Sequence, residues 1–186
     1  MRKPQAPLVQ QRLSCSWSVV QGESDRVDVF TPAKRSVVMS HIRSGDTRPE
    51  LFVRKLIFAA GFRYRLHDGR LPGKPDIVLP KYHAVIFVNG CFWHHHEGCR
   101  LAARPATRSD FWERKLAGNK RRDEDNIRAL LSAGWRVLVI WECACLKRFS
   151  ADLSSRVCRF LREQDVPRAE IGRNDLEGGA HGHHLT

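Results

Sequence analysis

Residues 91–99 read Cys-Phe-Trp-His-His-His-Glu-Gly-Cys: two cysteines bracket three histidines, and a Phe-Trp pair sits just inside the first cysteine. Thiolate and imidazole are the ligands a structural Zn²⁺ binds best, four of them in a tetrahedron. Cys91, Cys99 and one of His94, His95 or His96 supply three from a single loop. The fourth must come from elsewhere, and Cys143 and Cys145 are the candidates. Spacing chooses neither among the histidines nor between those two cysteines. The competing expectation, that Cys91 and Cys143 are small buried hydrophobes, is outweighed once the whole cluster is counted.

A second constellation is Pro-Asp-Ile-Val at 75–78, which puts Asp76 at the mouth of a short apolar run. A carboxylate there can hold Mg²⁺, a hard ion that takes oxygen ligands and keeps several waters. Beside a scissile phosphate such an ion stabilises the charge that builds up in the transition state. Turns favour aspartate as well, so Asp76 alone is a weak signal. A histidine of the trio that does not bind Zn²⁺ strengthens it, because imidazole is suited to take a proton from water near neutral pH.

The elements that must position these groups alternate between helix and strand. Thr31-Pro32 starts a helix running to about Arg43, with Met39 and Ile42 three apart on one face. Thr-Arg-Pro-Glu at 47–50 is a capping box with proline in the first turn, and its helix stops at Gly61. Residues 62–67 alternate as a strand with one wet face, and Leu-Pro-Gly-Lys-Pro at 71–75 is a rigid turn. Ile77–Leu79 is a short strand. Ala84–Val88 is apolar throughout, as in a central strand covered on both faces. Ser109–Ser132 is a charged helix ended by Gly134, which Gly118 and Asn119 can bend, and Arg136–Ile140 is another buried strand. Parallel pairing of 84–88 with 136–140 would bring the Cys/His loop and Cys143 or Cys145 to one edge. A final amphipathic helix spans 150–163, with Leu153, Val157, Phe160 and Leu161 inward. The expected organisation is therefore one α/β domain at 31–165. A loosely ordered extension at 1–30 precedes it and a disordered polar tail at 166–186 follows.

Charge points to the partner. Lys and Arg number 32 against 20 Asp and Glu, a net +12 in 186 residues, and the pI is near 10.0. A polyanion such as nucleic acid is the default partner of so basic a chain. Between Lys34 and Lys81 there are eleven basic and four acidic residues, and between Arg100 and Arg128 nine and five. Both stretches flank the Cys/His loop, where phosphate contacts would lie. Phe92, Trp93 and Trp112 can stack on bases or wedge between them. No apolar run approaches the ~18 residues a membrane span requires, and no secretory signal is evident. A cytoplasmic chain with six reduced cysteines is expected.

Five stretches together resemble the very-short-patch repair (Vsr) mismatch endonucleases: MSHIRSGDTRPE at 39–50, LPGKPD at 71–76, VIFVNGCFWHHH at 85–96, PATRSDFW at 105–112 and GWRVLVIWEC at 134–143. The likeness covers about residues 30–147 in order. It implies a restriction-endonuclease-like fold, a mixed sheet flanked by helices with a structural zinc site. It also implies a Mg²⁺-dependent enzyme that nicks one strand 5′ to the thymine of a T·G mismatch left by 5-methylcytosine deamination. Carried over by position, Asp76 and the Val88 backbone carbonyl ligate Mg²⁺, His94 is the general base and Glu50 holds metal-bound water. Cys91, His96, Cys99 and Cys143 bind Zn²⁺. Phe92, Trp93 and Trp112 enter the base stack from the major groove, and Met39 and Ile42 press from the minor groove. The implied partner is double-stranded DNA bearing a T·G mismatch, with mismatch-repair proteins as further partners. The implied enzyme is a nucleoid-associated monomer. Two departures stand out: Val88 replaces a threonine found in some members, and Asn89 stands where a histidine is common. The rival readings are a restriction-type endonuclease of the same fold and a non-catalytic, zinc-stabilised module that binds distorted DNA.

Overall fold

The computed structural model describes residues 45–103, 105 and 108–177. Met39, Ile42 and the helix expected at 31–43 lie outside the described residues, as do the extension at 1–30 and residues 178–186.

Five strands form one mixed sheet in the order β1-β2-β3-β4-β5. They are β1 (Arg65–Leu66), β2 (Ile77–Leu79), β3 (Ala84–Asn89), β4 (Arg136–Trp141) and β5 (Arg168–Ile171). The first three pair antiparallel, whereas β3, β4 and β5 run parallel. The β3/β4 ladder extends from Ala84↔Arg136 to Asn89↔Trp141. Both strands thus reach the same edge, as their continuous apolar character predicts.

The helices are α1 (Arg48–Ala59), α2 (Ser109–Ser132), α3 (Ser150–Arg162) and the short α4 (Arg173–Glu177). Strand side chains alternate between two cores. Ile86, Val88, Leu138 and Ile140 meet Val53 and Ile57 of α1 and Leu153, Val157, Phe160 and Leu161 of α3. On the opposite face Val85, Val137 and Val139 meet Ile127 and Leu130 of α2. Period-two alternation in strands, against a stripe in each helix, is the pattern that puts helices on both faces of a sheet. The helix over 109–132 is unbroken; Gly118 and Asn119 lie within it.

Two expectations need correction. The strand expected at 62–67 is only Arg65–Leu66, and both residues are exposed. Phe62 turns inward instead, edge-on to Tyr82 at 5.1 Å, and His67, at φ 47°, leaves the extended region. The polar tail expected from residue 166 contributes β5 and α4. Its ladder on β4 uses backbone groups, which composition does not reveal. Its apolar residues are sparse but well placed, with Ile171 and Leu176 both buried. Arg168 and Glu170 find fixed partners, since Arg168 grips Glu124 through two hydrogen bonds of 2.9 and 2.7 Å.

Arg136, at the start of β4, is one of the few buried charged residues. Its guanidinium donates to the carbonyls of Phe160, Leu161 and Glu163 at the end of α3 and to that of Tyr82 before β3. A guanidinium has donors only, in a rigid fork, and the last carbonyls of a helix have no partners of their own. Arg136→Ala would leave these acceptors buried and unmet, so it is expected to cost about 2–4 kcal/mol in urea unfolding. A loss under about 0.5 kcal/mol would show that water replaces the guanidinium.

Candidate active site and metal centre

The ends of β3 and β4 build the site. β3 runs into a tight loop in which His94 N–H donates to Gly90 O (3.1 Å) and His96 N–H to Cys91 O (2.9 Å). Beside it β4 runs into Glu142–Ala144, and Cys91 N–H donates to Glu142 Oε2 (3.2 Å). The loop folds so tightly that His95 (φ 51°) and Gly98 (φ 69°) adopt left-handed backbone; at 98 glycine does so without a Cβ penalty.

Four donors converge there: Cys91, His96 and Cys99 from the loop and Cys143 from beyond β4, their ligand atoms within 4.8 Å of one another. His96 Nδ1 lies 3.5 Å from both Cys91 Sγ and Cys143 Sγ. Zn–S bonds of about 2.3 Å and Zn–N bonds of about 2.0–2.1 Å at tetrahedral angles set edges of roughly 3.5–3.8 Å. The donor set and its spacing therefore fit a tetrahedral, thiolate-binding cation. Cys145, left open by the spacing, is not in the cluster; it packs on the other core and its Sγ donates to Trp141 O. Burial pushes the Cys91 and Cys143 thiols up and holds the His96 imidazole down. A bound cation displaces thiol protons outright. The His96 ring is stacked on Trp141, with centroids 4.2 Å apart and planes 2° apart.

Next to this centre opens a cleft of about 670 Å³ lined by Glu50, His67, Asp76, Val88, Asn89, Trp93, His94, Asp123 and Glu142, among others. Asp76 and His94, distant in sequence, face the same space. Asp76 Oδ2 accepts the Val88 N–H at 2.7 Å. Burial raises the Asp76 pKa, and the Glu50 charge adds to the rise against the pull of that hydrogen bond. Strand β2 begins only at Ile77, so the β2-facing edge of Val88 has no ladder partner. An extended residue turns its N–H and C=O to the same edge, so the Val88 carbonyl lies on the side of the Asp76 carboxylate.

His94 Nδ1 lies 2.6 Å from Asp123 Oδ2 on α2. An ionised carboxylate only accepts, so Nδ1 is the donor, and in the neutral ring the lone pair is then on Nε2. Asp123 escapes a sequence reading because it sits in Arg-Arg-Asp-Glu-Asp, a run typical of a solvated helix face. Only the packing of α2 over the loop singles it out.

Glu50 is largely engaged in structure. Its Oε1 accepts from Thr47 Oγ1 (2.9 Å), and its Oε2 from Asp46 N–H (3.0 Å) and from Arg54 Nη2 (2.9 Å). Thr47 Oγ1 in turn accepts the Glu50 N–H at 3.4 Å, the helix start expected from Thr-Arg-Pro-Glu. Arg54 Nη2 also lies 2.8 Å from His67 Nε2, and His67 Nδ1 is 3.8 Å from Asp76 Oδ1. The trio Asp46, Glu50 and His67 is close enough to hold a cation, and the buried Arg54 guanidinium already serves that role. Arg54 and His67 carry no motif in sequence and are joined to Asp46 and Glu50 by the fold.

The aromatics meet as one cluster. Phe92 touches Trp93 (5.0 Å) and Trp112 (5.3 Å) edge-on, and Phe111 touches Trp112 (5.3 Å). Phe92 and Trp93 are half-buried, Trp112 is buried and Phe111 is exposed. Asn119 on α2 donates to Trp93 O (2.9 Å), which fixes the Phe-Trp corner to the helix.

The family model described as DNA mismatch endonuclease Vsr matches residues 27–100. The Type II nicking enzyme V.XorIIP of Xanthomonas oryzae pv. oryzae is 47% identical over 116 residues, 62% of this chain and 85% of that one. The Type II nicking enzyme V.NmeAIP of Neisseria meningitidis is 46% identical over 136 residues, 73% of this chain and 95% of its own. The DNA mismatch endonuclease Vsr of Escherichia coli is 46% identical over 117 residues, 63% of this chain and 74% of its own. A likeness of this depth, over most of each relative's length, means that the chain belongs to the DNA mismatch endonuclease Vsr family.

Proposed function

We propose that the chain nicks one strand of duplex DNA 5′ to the thymine of a T·G mismatch, in a Mg²⁺-dependent reaction, on a restriction-endonuclease-like fold stapled by Zn²⁺. The single observation that carries this reading is the meeting of Asp76 and the His94–Asp123 pair in one cleft, beside a four-donor Cys/His cluster.

The division of labour follows from the donors. Asp76 and the Val88 carbonyl would hold Mg²⁺, and when bound it would stabilise charge on the phosphate in the transition state. His94 takes the proton of the attacking water at Nε2, with Asp123 holding the ring in that tautomer and stabilising the imidazolium that forms. Glu50 has one Oε1 lone pair left after its bonds to Thr47, Asp46 and Arg54, and it would position a water. Phe92, Trp93 and Trp112 would enter the base stack as a preassembled wedge. A T·G pair stacks and pairs less well than a matched one, so prying there costs less. Met39 and Ile42 would press from the other groove. Among the described residues no helix is long and apolar enough to cross a membrane. An enzyme of this kind would act as a cytoplasmic, nucleoid-associated monomer.

A nicking assay on T·G and C·G duplexes of one sequence, with and without Mg²⁺, is the direct test. Nicks are expected only in the T strand of the mismatched duplex and only with Mg²⁺. Equal cutting of both duplexes would mean a restriction-type enzyme, and no cutting of either a binding module.

Asp76→Asn should lower the nicking rate roughly a thousandfold or more, the scale of several kcal/mol of lost charge stabilisation. Its stability should change the other way. Burial raises the Asp76 pKa in the fold, so ionisation there is disfavoured and costs stability. That cost is absent below the ordinary carboxylate range, grows as pH rises from that range to the raised folded value and is constant above it. The metal-free Asn variant should therefore melt higher than the parent at neutral pH and no higher in acid. A lower melting temperature at neutral pH would count against this electrostatic account.

Cys91→Ser should lose bound zinc and melt roughly 10 °C lower or more, because a structural metal supplies folding energy. A stably folded, metal-free variant would sink the stapling role.

A further inference from the structure

The segment after α3 closes over the Cys/His cluster, and three contacts show how. The backbone N–H of Arg173 donates to Cys143 Sγ at 3.3 Å. A Cβ placed on Gly172 would lie 3.0 Å from His96 Cε1 and 3.2 Å from His96 Nε2. Glu170 Oε2 accepts from the indole N–H of Trp141 at 3.2 Å, and Trp141 is the ring stacked on His96.

The segment is itself pinned. Asp175 Oδ2 accepts the Gly172 N–H at 2.7 Å, and Ile171 and Leu176 are buried in the core on either side. Gly172 is not among the residues with positive φ, so its backbone does not call for glycine. What calls for glycine is the absence of room beside the His96 ring. A hydrogen bond to sulfur draws charge from a thiolate, and a ring held on two sides keeps Nδ1 aimed at a fixed point. Groups that orient ligands in this way raise metal affinity by about 10–100-fold.

We propose that residues 168–175 form a lid that positions the metal ligands. The Arg173 N–H holds the Cys143 sulfur, the Gly172 backbone seats the open edge of His96, and Glu170 steadies Trp141 over the ring. The proposal rests on the reading of Cys91, His96, Cys99 and Cys143 as a zinc site. It assigns a role in that site to a stretch that carries no ligand of its own.

The test uses the full chain loaded with zinc, or with cobalt as a spectroscopic stand-in. Arg173→Pro removes the N–H together with the side chain: residue 173 is the first of α4, where proline is tolerated, and the preceding Gly172 has no Cβ to clash with its ring. Arg173→Ala keeps the N–H and removes the side chain with its Glu177 ion pair. Gly172→Ala presses on His96. Zinc transfer to a chromophoric chelator should be about 10–100-fold faster for Arg173→Pro and Gly172→Ala, and within about twofold of the parent for Arg173→Ala. In the cobalt protein, Arg173→Pro should move the thiolate-to-metal charge-transfer band to lower energy, and Arg173→Ala should leave it in place. Parental release rates in both Arg173→Pro and Gly172→Ala would overturn the lid. So would an Arg173→Ala protein as fast as Arg173→Pro. If Arg173→Pro does not fold, as judged by near-UV circular dichroism, the Gly172→Ala release rate decides alone. A parent chain that takes up neither zinc nor cobalt would instead overturn the metal reading beneath the proposal.

Discussion

The parallel ladder of β3 on β4 is the constraint from which the site follows. Its register sets Asn89 opposite Trp141, so the loop starting at Gly90 and the turn starting at Glu142 leave the sheet side by side. Cys91 and Cys143 are thereby brought together across 52 positions of sequence, and the Glu142 carboxylate takes the Cys91 N–H in the same place. Parallel strands need a long crossover, and here that crossover carries the chemistry. It includes the Cys/His loop, the aromatic corner and α2 with Asp123.

Two groups of polar residues sit at this edge and meet opposite demands. The Cys/His cluster gathers four donors that one cation would satisfy, an arrangement that favours rigidity. The cleft gathers Asp76, Glu50, Asp123 and Glu142 around open space, and that arrangement stores electrostatic cost. The raised pKa of Asp76 is its signature. Arg54 offsets part of it from below by binding Asp46, Glu50 and His67. A rigid centre beside a strained, acidic cleft lets the second hold its shape without a ligand.

The family membership and these geometries support each other without being the same argument. Relatives named as a mismatch endonuclease and as nicking enzymes place the chain among enzymes that cut DNA. The geometry says which groups are in reach of one another. It adds the Asp123 carboxylate to the histidine, and it sets the stretch at 168–175 against the Cys/His cluster.

Much of this was legible in the sequence wherever a local pattern carries the signal. The α1 start at Thr47–Glu50, the inner face of α3 and the two buried strands follow from capping chemistry and from the periods 3.6 and 2. Six cysteines with a histidine triplet in a basic chain already suggested a metal site and a polyanionic partner. Local spacing could not choose His96 over its neighbours or Cys143 over Cys145, because both choices depend on where a distant strand ends. It could not separate Asp123 from the other charges of its helix, since only a packed neighbour makes one carboxylate different from the next. Nor could it see β5: a strand four residues long is held by backbone hydrogen bonds to β4 and by two apolar anchors, and neither leaves a pattern in composition. The sequence by itself determined the main helices, the buried strands and which side chains of the Cys/His loop could bind metal or move a proton. The tertiary structure alone decided which of those side chains meet, because their meeting is set by strand register and helix packing between segments far apart in the chain.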